Sequence, residues 1–335
     1  MTKWSAKLPK SMNFSREFDE SLNLFRQKKN VLLAVHERPD GDALGSMTAM
    51  FQVLSKFPDK NIVMFSQDPI PDNFKFLQNS DLIVSNISSS SPDLFVGFDY
   101  GDFARLGVSE ELIAGVPFIT FDHHPILRQK GDVMMVDTAV SSTCEILYNF
   151  FRHAKIDISL PIATSLLTGI FTDTGGFAHI NATSDTFRIA GDLLRCGASV
   201  TKLHKYAFSN KSPQTLRIWG HVLKNISHDM ESKMSYAAIS FEEFSGLGSS
   251  LDNFEGIVNV INMPSDVRFS LLAIEHEPQV IKGSLRSEPF KGVDVSLIAN
   301  ALGGGGHKYA AGFEVKNDTL KNVVERVKIC AAEVA

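Results

Sequence analysis

Carboxylate and imidazole side chains follow three separate apolar segments in the first half of this 335-residue chain, at the point where each segment ends. They are His36, Asp40 and Asp42, then Asp99, and then Asp122, His123 and His124. A turn or a helix cap would explain any one of them alone. Capping does not explain three such segments. Carboxylates gathered this densely would also repel one another and have raised pKa values unless cations lay between them. We therefore interpret the set as a cation site.

A further carboxylate, Asp173 in FTDTGGF, follows an apolar helix predicted from Ile162 to Phe171. By itself it fits a turn at a helix end. With it, the candidate metal ligands are His36, Asp40, Asp42, Asp99, His123 and Asp173. Such a set is about what two octahedral ions need if one carboxylate bridges them and waters complete their shells. Imidazole and carboxylate ligands without thiolate favour Mn²⁺, with Co²⁺, Fe²⁺ or Mg²⁺ as alternatives.

The apolar segments predict the strands of a parallel sheet, because each is short, continuous and separated from the next by helical stretches. They run from Val31 to Val35, Asn61 to Phe65, Leu94 to Phe98 and Pro117 to Phe121. Parallel strands bring their carboxyl ends to one edge, so the acidic and histidine side chains should converge in one cleft.

Helices are predicted around these strands. Gly45 and Ser46 are expected to open the first of them, which leaves residues 36–42 in the preceding loop. Ser142 and Glu145 have the spacing of a capping box at the start of another helix. The range 183–195 is a third helix that stops at Gly197.

A second, smaller α/β domain is predicted where alternating patterns return after residue 228. Its strands are expected at 234–241, 267–274 and 280–285, followed by a helix at 294–302. The predicted domains are 1–225 and 230–335, with the active site in the cleft between them.

The segment LGGGGHKYAAG at 302–312 is a candidate anion site. A helix end needs one glycine, and four consecutive glycines let the backbone approach a ligand and expose its amides to an anion. His307 separates the last glycine from Lys308, so the segment is not a nucleotide P-loop. Arg286, on a predicted strand, adds a guanidinium suited to phosphate.

Composition excludes several classes of protein. The chain is 44% hydrophobic and 21% charged, which is typical of a globular protein, and its formal charge of −5 argues against a wide basic surface for long duplex nucleic acid. Its cysteines, Cys144, Cys196 and Cys330, have no CxxC spacing. No apolar stretch reaches the roughly 20 residues of a membrane span, and residues 1–10 do not resemble a signal peptide. We expect a soluble, cytoplasmic protein.

Taken together, these motifs resemble those of the DHH phosphoesterase superfamily, named for the motif present here at 122–124. HxxxDxD at 36–42, Asp99 and Asp173 match the superfamily's metal-site motifs in order, and GGGGH at 303–307 matches its associated C-terminal domain. The chain is most similar to the compact group of oligoribonucleases (nanoRNases) that are also 3′-phosphoadenosine 5′-phosphate (pAp) phosphatases.

The resemblance implies roles for individual residues. One ion would be held by His36, Asp40 and Asp99, and a second by Asp42, Asp99, His123 and Asp173. Asp122 would orient a neighbouring group, while His124 would face the substrate phosphate and act with Arg286 in catalysis. The residues implied in substrate binding are His124, Arg286, Ser287, Gly305, Gly306 and His307.

The predicted function is two-metal, Mn²⁺-dependent hydrolysis of short oligoribonucleotides, of pAp, or of both, to nucleoside monophosphates. A phosphodiesterase for cyclic or linear dinucleotides is the alternative within the family. A nucleotide-binding module without turnover is the alternative outside it. The expected partners are short RNA or small nucleotides, with neither long duplexes nor a membrane, and the resemblance suggests a homodimer.

Overall fold

The computed structural model describes residues 13–125, 128–207 and 211–333. The first residues of the chain, 1–12, on which the expectation about a signal peptide depends, lie outside this range. Packing divides the chain into two compact units, Met1–Asn210 and Lys211–Ala335. The predicted α/β class is confirmed, with a parallel sheet in the first unit and a second sheet with helices in the other. Within the described ranges, no helix is both long enough and apolar enough to cross a bilayer.

A five-stranded parallel sheet of order β2-β1-β3-β4-β5 forms the centre of the first unit. Its strands are β1 (Asn30–Val35), β2 (Asn61–Phe65), β3 (Leu94–Phe98), β4 (Phe118–Asp122) and β5 (Val133–Val136). Both faces are buried, with Leu33 and Val35 in one core and Leu32 and Ala34 in the other. That double burial explains why the strands are continuous apolar runs rather than alternating ones.

The helices of the first unit are α1 (Ser15–Gln27), α2 (Gly41–Leu54), α3 (Thr143–His153), α4 (Leu160–Asp173), α5 (Ser184–Arg195) and α6 (Val200–Ala207). Helices α2 and α4 are buried and pack closely in antiparallel orientation. A Cβ atom added to Gly45 of α2 would lie 2.5 Å from Ser165 O and 3.2 Å from Gly169 N, both in α4. At the other end of the contact, Gly41 lies beside Thr172. The first turn of α2 is therefore adjacent to the last turn of α4.

Two predictions about helix starts are wrong in detail. Helix α2 begins at Gly41 and not near Gly45, because the Asp40 carboxylate caps it by accepting from the amides of Asp42 and Ala43 at 3.0 and 3.1 Å. Asp42 thus belongs to the helix and not to the loop.

The capping box predicted at the start of α3 is only half formed. The Ser142 hydroxyl accepts from Glu145 N at 3.2 Å, as expected. The Glu145 carboxylate instead accepts from the amide and hydroxyl of Ser141 and from the Thr186 hydroxyl on α5. A tertiary contact with α5 therefore replaces the local bond that the sequence pattern predicts.

The second unit contains a six-stranded mixed sheet of order β10-β11-β9-β8-β7-β6, in which only the β7–β8 pair of the described strands is parallel. Its strands are β6 (Ser227–Asp229), β7 (Met234–Ile239), β8 (Phe269–Glu277), β9 (Val280–Ser287), β10 (Gly305–His307) and β11 (Ala310–Lys316). Its helices are α7 (Pro213–Lys224), α8 (Phe241–Gly246), α9 (Ile257–Ile261), α10 (Val295–Ala301) and α11 (Leu320–Glu333).

Helix α7 packs on the sheet of the second unit. Its residues Ile218 and Val222 are fully buried in one cluster with Ala237 and Ile239 of β7. The predicted limits 1–225 and 230–335 assign this helix to the first domain, whereas packing divides the chain before it. Periodicity identifies the apolar face of a helix but not the sheet that the face covers.

The glycine run has a largely structural explanation. Gly303 follows α10 with φ 81°, as expected at a helix end. A Cβ atom on Gly304 would lie 2.6 Å from Phe313 Cα, and one on Gly306 would lie 2.6 Å from Ala310 O, so both glycines allow close approach to β11. Gly305 differs, because its nearest neighbour would be Asn300 Oδ1 at 3.5 Å, an ordinary contact.

Candidate active site

The carboxyl ends of β1, β3 and β4, the first turn of α2 and the last residue of α4 bring the predicted metal ligands together. Within the described residues, three groups of side chains have donor atoms within 4.8 Å of one another. The groups are His36 with Asp40 and Asp99; Asp42 with His123 and Asp173; and Asp99 with His123 and His124. The first two contain the residues of the two ligand sets that the family resemblance implies.

Asp99 belongs to the first group and lies beside His123 of the second. Its Oδ2 is 3.8 Å from His36 Nε2, and its Oδ1 is 3.4 Å from His123 Nε2. Each carboxylate oxygen therefore faces a different group. The residue is 1% exposed and has φ 56°, a left-handed conformation that is uncommon for an aspartate and is often found at functional sites.

The contact between α2 and α4 assembles the second group. Asp42 lies in the first turn of α2, and Asp173 ends α4, so both reach the imidazole of His123, the residue that follows β4. His123 Nε2 is 3.0 Å from Asp173 Oδ2 and 4.0 Å from Asp42 Oδ2.

The amino end of α3 holds two of these carboxylates, and this support was not predicted. Asp42 accepts from the amides of Thr143 at 2.6 Å and Cys144 at 2.9 Å. The Thr143 hydroxyl donates to Asp99 Oδ1 at 3.1 Å. Amides at the start of a helix favour a negative charge. The sequence carried one hint, the N-cap residue Ser142, but nothing in it linked α3 to Asp42.

Asp122 orients its neighbours rather than facing the cluster. It is fully buried and accepts from the amides of Tyr100, Gly101 and His124 at 3.1, 2.8 and 2.9 Å. It also pairs with His124 Nδ1 at 2.9 Å. This carboxylate therefore fixes both the loop after Asp99 and the imidazole of His124.

The carboxylates of the cluster strongly perturb one another. Burial, followed by the charges of Asp99 and Asp173, raises the pKa of Asp42 well above its usual value. Burial also raises the pKa of Asp173 to about 6, although His123 opposes the change. Burial would raise the pKa of Asp99 too, but hydrogen bonds from His123 and His124 hold it below the usual range.

The pKa values of the three histidines are raised as well, in their case by the neighbouring carboxylates. Burial would lower the pKa of His124, but its hydrogen bonds to Asp122 and Asp99 raise that pKa to about 10. Carboxylate neighbours likewise outweigh burial and raise the pKa of His36 and His123. The cluster thus draws positive charge to itself, and divalent cations could replace the imidazole protons in supplying it.

The donor set fits divalent ions. Neighbouring donors of an octahedral ion bound at about 2.1 Å lie about 3 Å apart, and opposite donors about 4.2 Å apart. The distances of 3.0 to 4.0 Å between the His123, Asp173 and Asp42 donors fall within these limits. His36 Nδ1 lies 2.6 Å from Glu37 O, an interaction that directs Nε2 towards Asp40 and Asp99.

Apart from His124, the predicted substrate residues lie in the second unit. Arg286 of β9 bonds through Nε to Asn259 Oδ1 at 3.1 Å and through Nη1 to Leu285 O at 2.8 Å. Burial lowers its pKa. Asn259, on α9, therefore orients the Arg286 side chain, a contact that the sequence did not reveal.

The neighbours of Arg286 in the predicted set are placed differently. Ser287 is 6% exposed, and its hydroxyl donates to Arg268 O at 2.9 Å, so that group is already used within the unit. Gly305, Gly306 and His307 form β10, and the sheet register aligns His307 with Ala310, which is itself aligned with Arg286. The His307 side chain lies outside the described part of the chain.

Comparison with known proteins assigns both units. Residues 30–170 match the DHH family, N-terminal domain, and residues 238–333 match the DHHA1 domain. The bifunctional oligoribonuclease and PAP phosphatase NrnA of Thermus thermophilus is 28% identical over 302 residues, which cover 89% of this chain and 87% of that protein.

Solved structures share the fold. An exopolyphosphatase-related protein from Bacteroides fragilis has a TM-score of 0.87 at 23% identity, covering 99% of this chain and 98% of that one. RecJ from T. thermophilus in complex with Mn²⁺ has a TM-score of 0.54 at 16% identity, covering 98% of this chain and 56% of that one.

The chain therefore carries a DHH family N-terminal domain and a DHHA1 domain, as the sequence motifs indicate. It is accordingly a phosphoesterase, and the candidate metal ligands other than Asp173 lie within the residues that match the DHH domain.

We predict that Thr143→Val weakens Mn²⁺ binding by about 10–100-fold, because Asp99 loses the hydroxyl that orients it. Isothermal titration calorimetry of the full chain would measure this. Thr168→Val is the matched control, since Thr168 is also buried but its hydroxyl donates to Thr164 O within α4. Equal Mn²⁺ affinity in both variants would contradict the assigned role of Thr143.

Proposed function

We propose that this phosphoesterase hydrolyses short oligoribonucleotides and pAp to nucleoside monophosphates with the help of two Mn²⁺ ions. The observation that carries the proposal is the placement of Asp99, whose oxygens face two separate groups of metal-binding side chains. The name of the T. thermophilus relative supports the substrate class, because its similarity extends over most of both chains.

The proposed ligands of one ion are His36, Asp40 and Asp99, and those of the other are Asp42, Asp99, His123 and Asp173. When bound, such a pair of ions lowers the pKa of water and neutralises charge on phosphoryl oxygens. Mn²⁺ suits mixed imidazole and carboxylate ligands, and it is the ion in the RecJ complex of the same fold.

His124 is the proposed hydrogen-bond donor to the substrate, either to a phosphoryl oxygen or to the leaving oxygen. Its ring is held by Asp122 at Nδ1 and lies beside Asp99, with Nδ1 3.3 Å from Asp99 Oδ1. Asp122 is too deeply buried to contact a substrate, so its proposed role is to fix the ring before the substrate arrives.

The second unit is proposed to bind the nucleotide through Arg286, Ser287, Gly305, Gly306 and His307. In the glycine run, Gly305 is the position at which neither close packing nor a positive φ requires a glycine, which supports a ligand contact there. Short substrates are proposed because a chain of net charge −5 lacks the basic excess for long duplexes. The family resemblance alone supports a homodimer, which sedimentation would test.

We predict Mn²⁺-dependent release of AMP from pAp and from a diadenylate, and its loss on chelation. Asp99→Ala should reduce this turnover by at least about 1000-fold, because both ions lose a ligand. Asp93→Ala is the control, since Asp93 holds backbone amides at the opposite edge of the sheet.

The same assay, run with a cyclic dinucleotide alongside, separates the other functions. Turnover of the cyclic substrate alone would favour the cyclic-dinucleotide phosphodiesterase. Nucleotide binding without any turnover would favour a non-catalytic module. Unchanged turnover in Asp99→Ala would contradict the proposed bridge between the ions.

We predict that Arg286→Ala raises KM for pAp by about 10–100-fold, because a charged hydrogen bond to phosphate is lost. Mn²⁺ affinity should stay unchanged. Lys282→Ala removes a positive charge from the same face of β9 and is the matched control. Steady-state kinetics would decide, and equal effects of the two variants would show that net charge rather than a specific contact matters.

A further inference from the structure

Arg105 lies at the edge of the metal-binding cluster, in a short 3₁₀ turn, Phe103–Leu106, that follows β3. Its Nη2 is 3.1 Å from His36 Nδ1, and its Nη1 donates to Tyr100 O at 3.3 Å. Its own carbonyl accepts from Glu37 N at 2.7 Å. The guanidinium therefore lies between the loops that carry His36 and Asp99.

The guanidinium has hydrogen-bonding capacity that its neighbours do not use. It forms an ion pair with no carboxylate among residues 13–125, 128–207 and 211–333, although the acidic cluster is one imidazole ring away. His36 Nδ1 also lies 2.6 Å from Glu37 O, an acceptor that requires a proton on that nitrogen. Arginine has only hydrogen-bond donors. When His36 Nδ1 carries a proton that it donates to Glu37 O, it therefore cannot accept a hydrogen bond from Arg105.

The loop between Arg105 and His124 is shaped by Gly101. A Cβ atom added to Gly101 would lie 3.6 Å from His124 Cβ and 3.9 Å from Arg105 Nη1, so the two cationic side chains approach the same position beside this glycine. The Gly101 amide is fixed by Asp122, which also fixes His124. The two side chains thus lie beside one loop, which begins at Asp99 and is held by Asp122.

We propose that Arg105 binds an oxygen of the substrate's phosphate group at the edge of the cluster where His36 lies. The inference rests on the proposed function, and it adds to the first unit a phosphate contact that no sequence motif indicated. A phosphate that contacts metal ions at Asp99 would lie next to both cationic side chains, Arg105 and His124. The planar fork of a guanidinium matches two phosphate oxygens, which an ammonium group cannot do.

The competing explanation is that Arg105 only orients His36. In that case the residue would act on metal binding and not on phosphate binding. The two roles make different predictions for two separate titrations, one with Mn²⁺ alone and one with inorganic phosphate at saturating Mn²⁺. The phosphate titration requires no turnover, so it remains informative even if none of the proposed substrates is hydrolysed.

The test compares Arg105→Met and Arg105→Lys with Arg38→Met in the full chain. Arg38 is a matched control, because it lies in the loop after β1 and its side chain is 80% exposed. We expect Arg105→Met to weaken phosphate binding at least about 10-fold and to lower kcat/KM for pAp by about 100-fold or more. Mn²⁺ affinity should stay within about 3-fold of wild type, and Arg105→Lys should restore phosphate binding only in part.

Two results would overturn the proposal. One is a loss of Mn²⁺ affinity in Arg105→Met with unchanged phosphate affinity at saturating Mn²⁺, which would make Arg105 a positioning residue for His36. The other is phosphate binding in Arg105→Met equal to that in Arg38→Met. If wild type binds phosphate through Arg105 but turns over no nucleotide, the proposed function fails while the phosphate contact stands.

Discussion

The repulsion among buried carboxylates is the constraint on which the rest of this structure depends. Two unit charges about 4 Å apart repel by about 4 kcal/mol at an effective dielectric constant of 20. Asp42 and Asp99 are both buried, and Asp173 approaches the same imidazole as they do. Such a cluster is stable only where positive charge or hydrogen-bond donors meet each oxygen. The raised pKa values of Asp42 and Asp173 show that the protein's own donors meet this need only in part.

The fold supplies the donors from secondary structure. The start of α3 provides the amides that hold Asp42, and the loop after β3 provides the amides that hold Asp122. The close contact of α2 with α4, made through Gly45, brings the first turn of one helix to the last turn of the other. Packing far from the chemistry therefore sets the distances within the site. Two metal ions bound at Asp99 would then complete an arrangement that the backbone has already organised.

Much of the first unit could be predicted because its signals are local. Continuous apolar runs indicated β1 to β4, and the parallel arrangement followed from their alternation with helices, which together put His36, Asp99 and His123 at one edge. Strand β5 was missed because VMMV is short, and β10 and β11 because their glycines and alanines have low strand propensity.

Other features depend on tertiary contacts that no spacing encodes. Thr143, Arg105 and Asn259 contact residues distant in the sequence, so these contacts become visible only when the elements are assembled. The assignment of α7 to the second unit has the same origin, since its apolar face could have covered either sheet.

The central claim is that Asp99 joins two divalent ions. A crystal structure of the full chain with Mn²⁺, with data collected at the manganese absorption edge, tests it most directly. The account predicts two anomalous peaks about 3.5–4 Å apart, with Asp99 coordinating both. A single peak, or peaks that Asp99 does not contact, would contradict it.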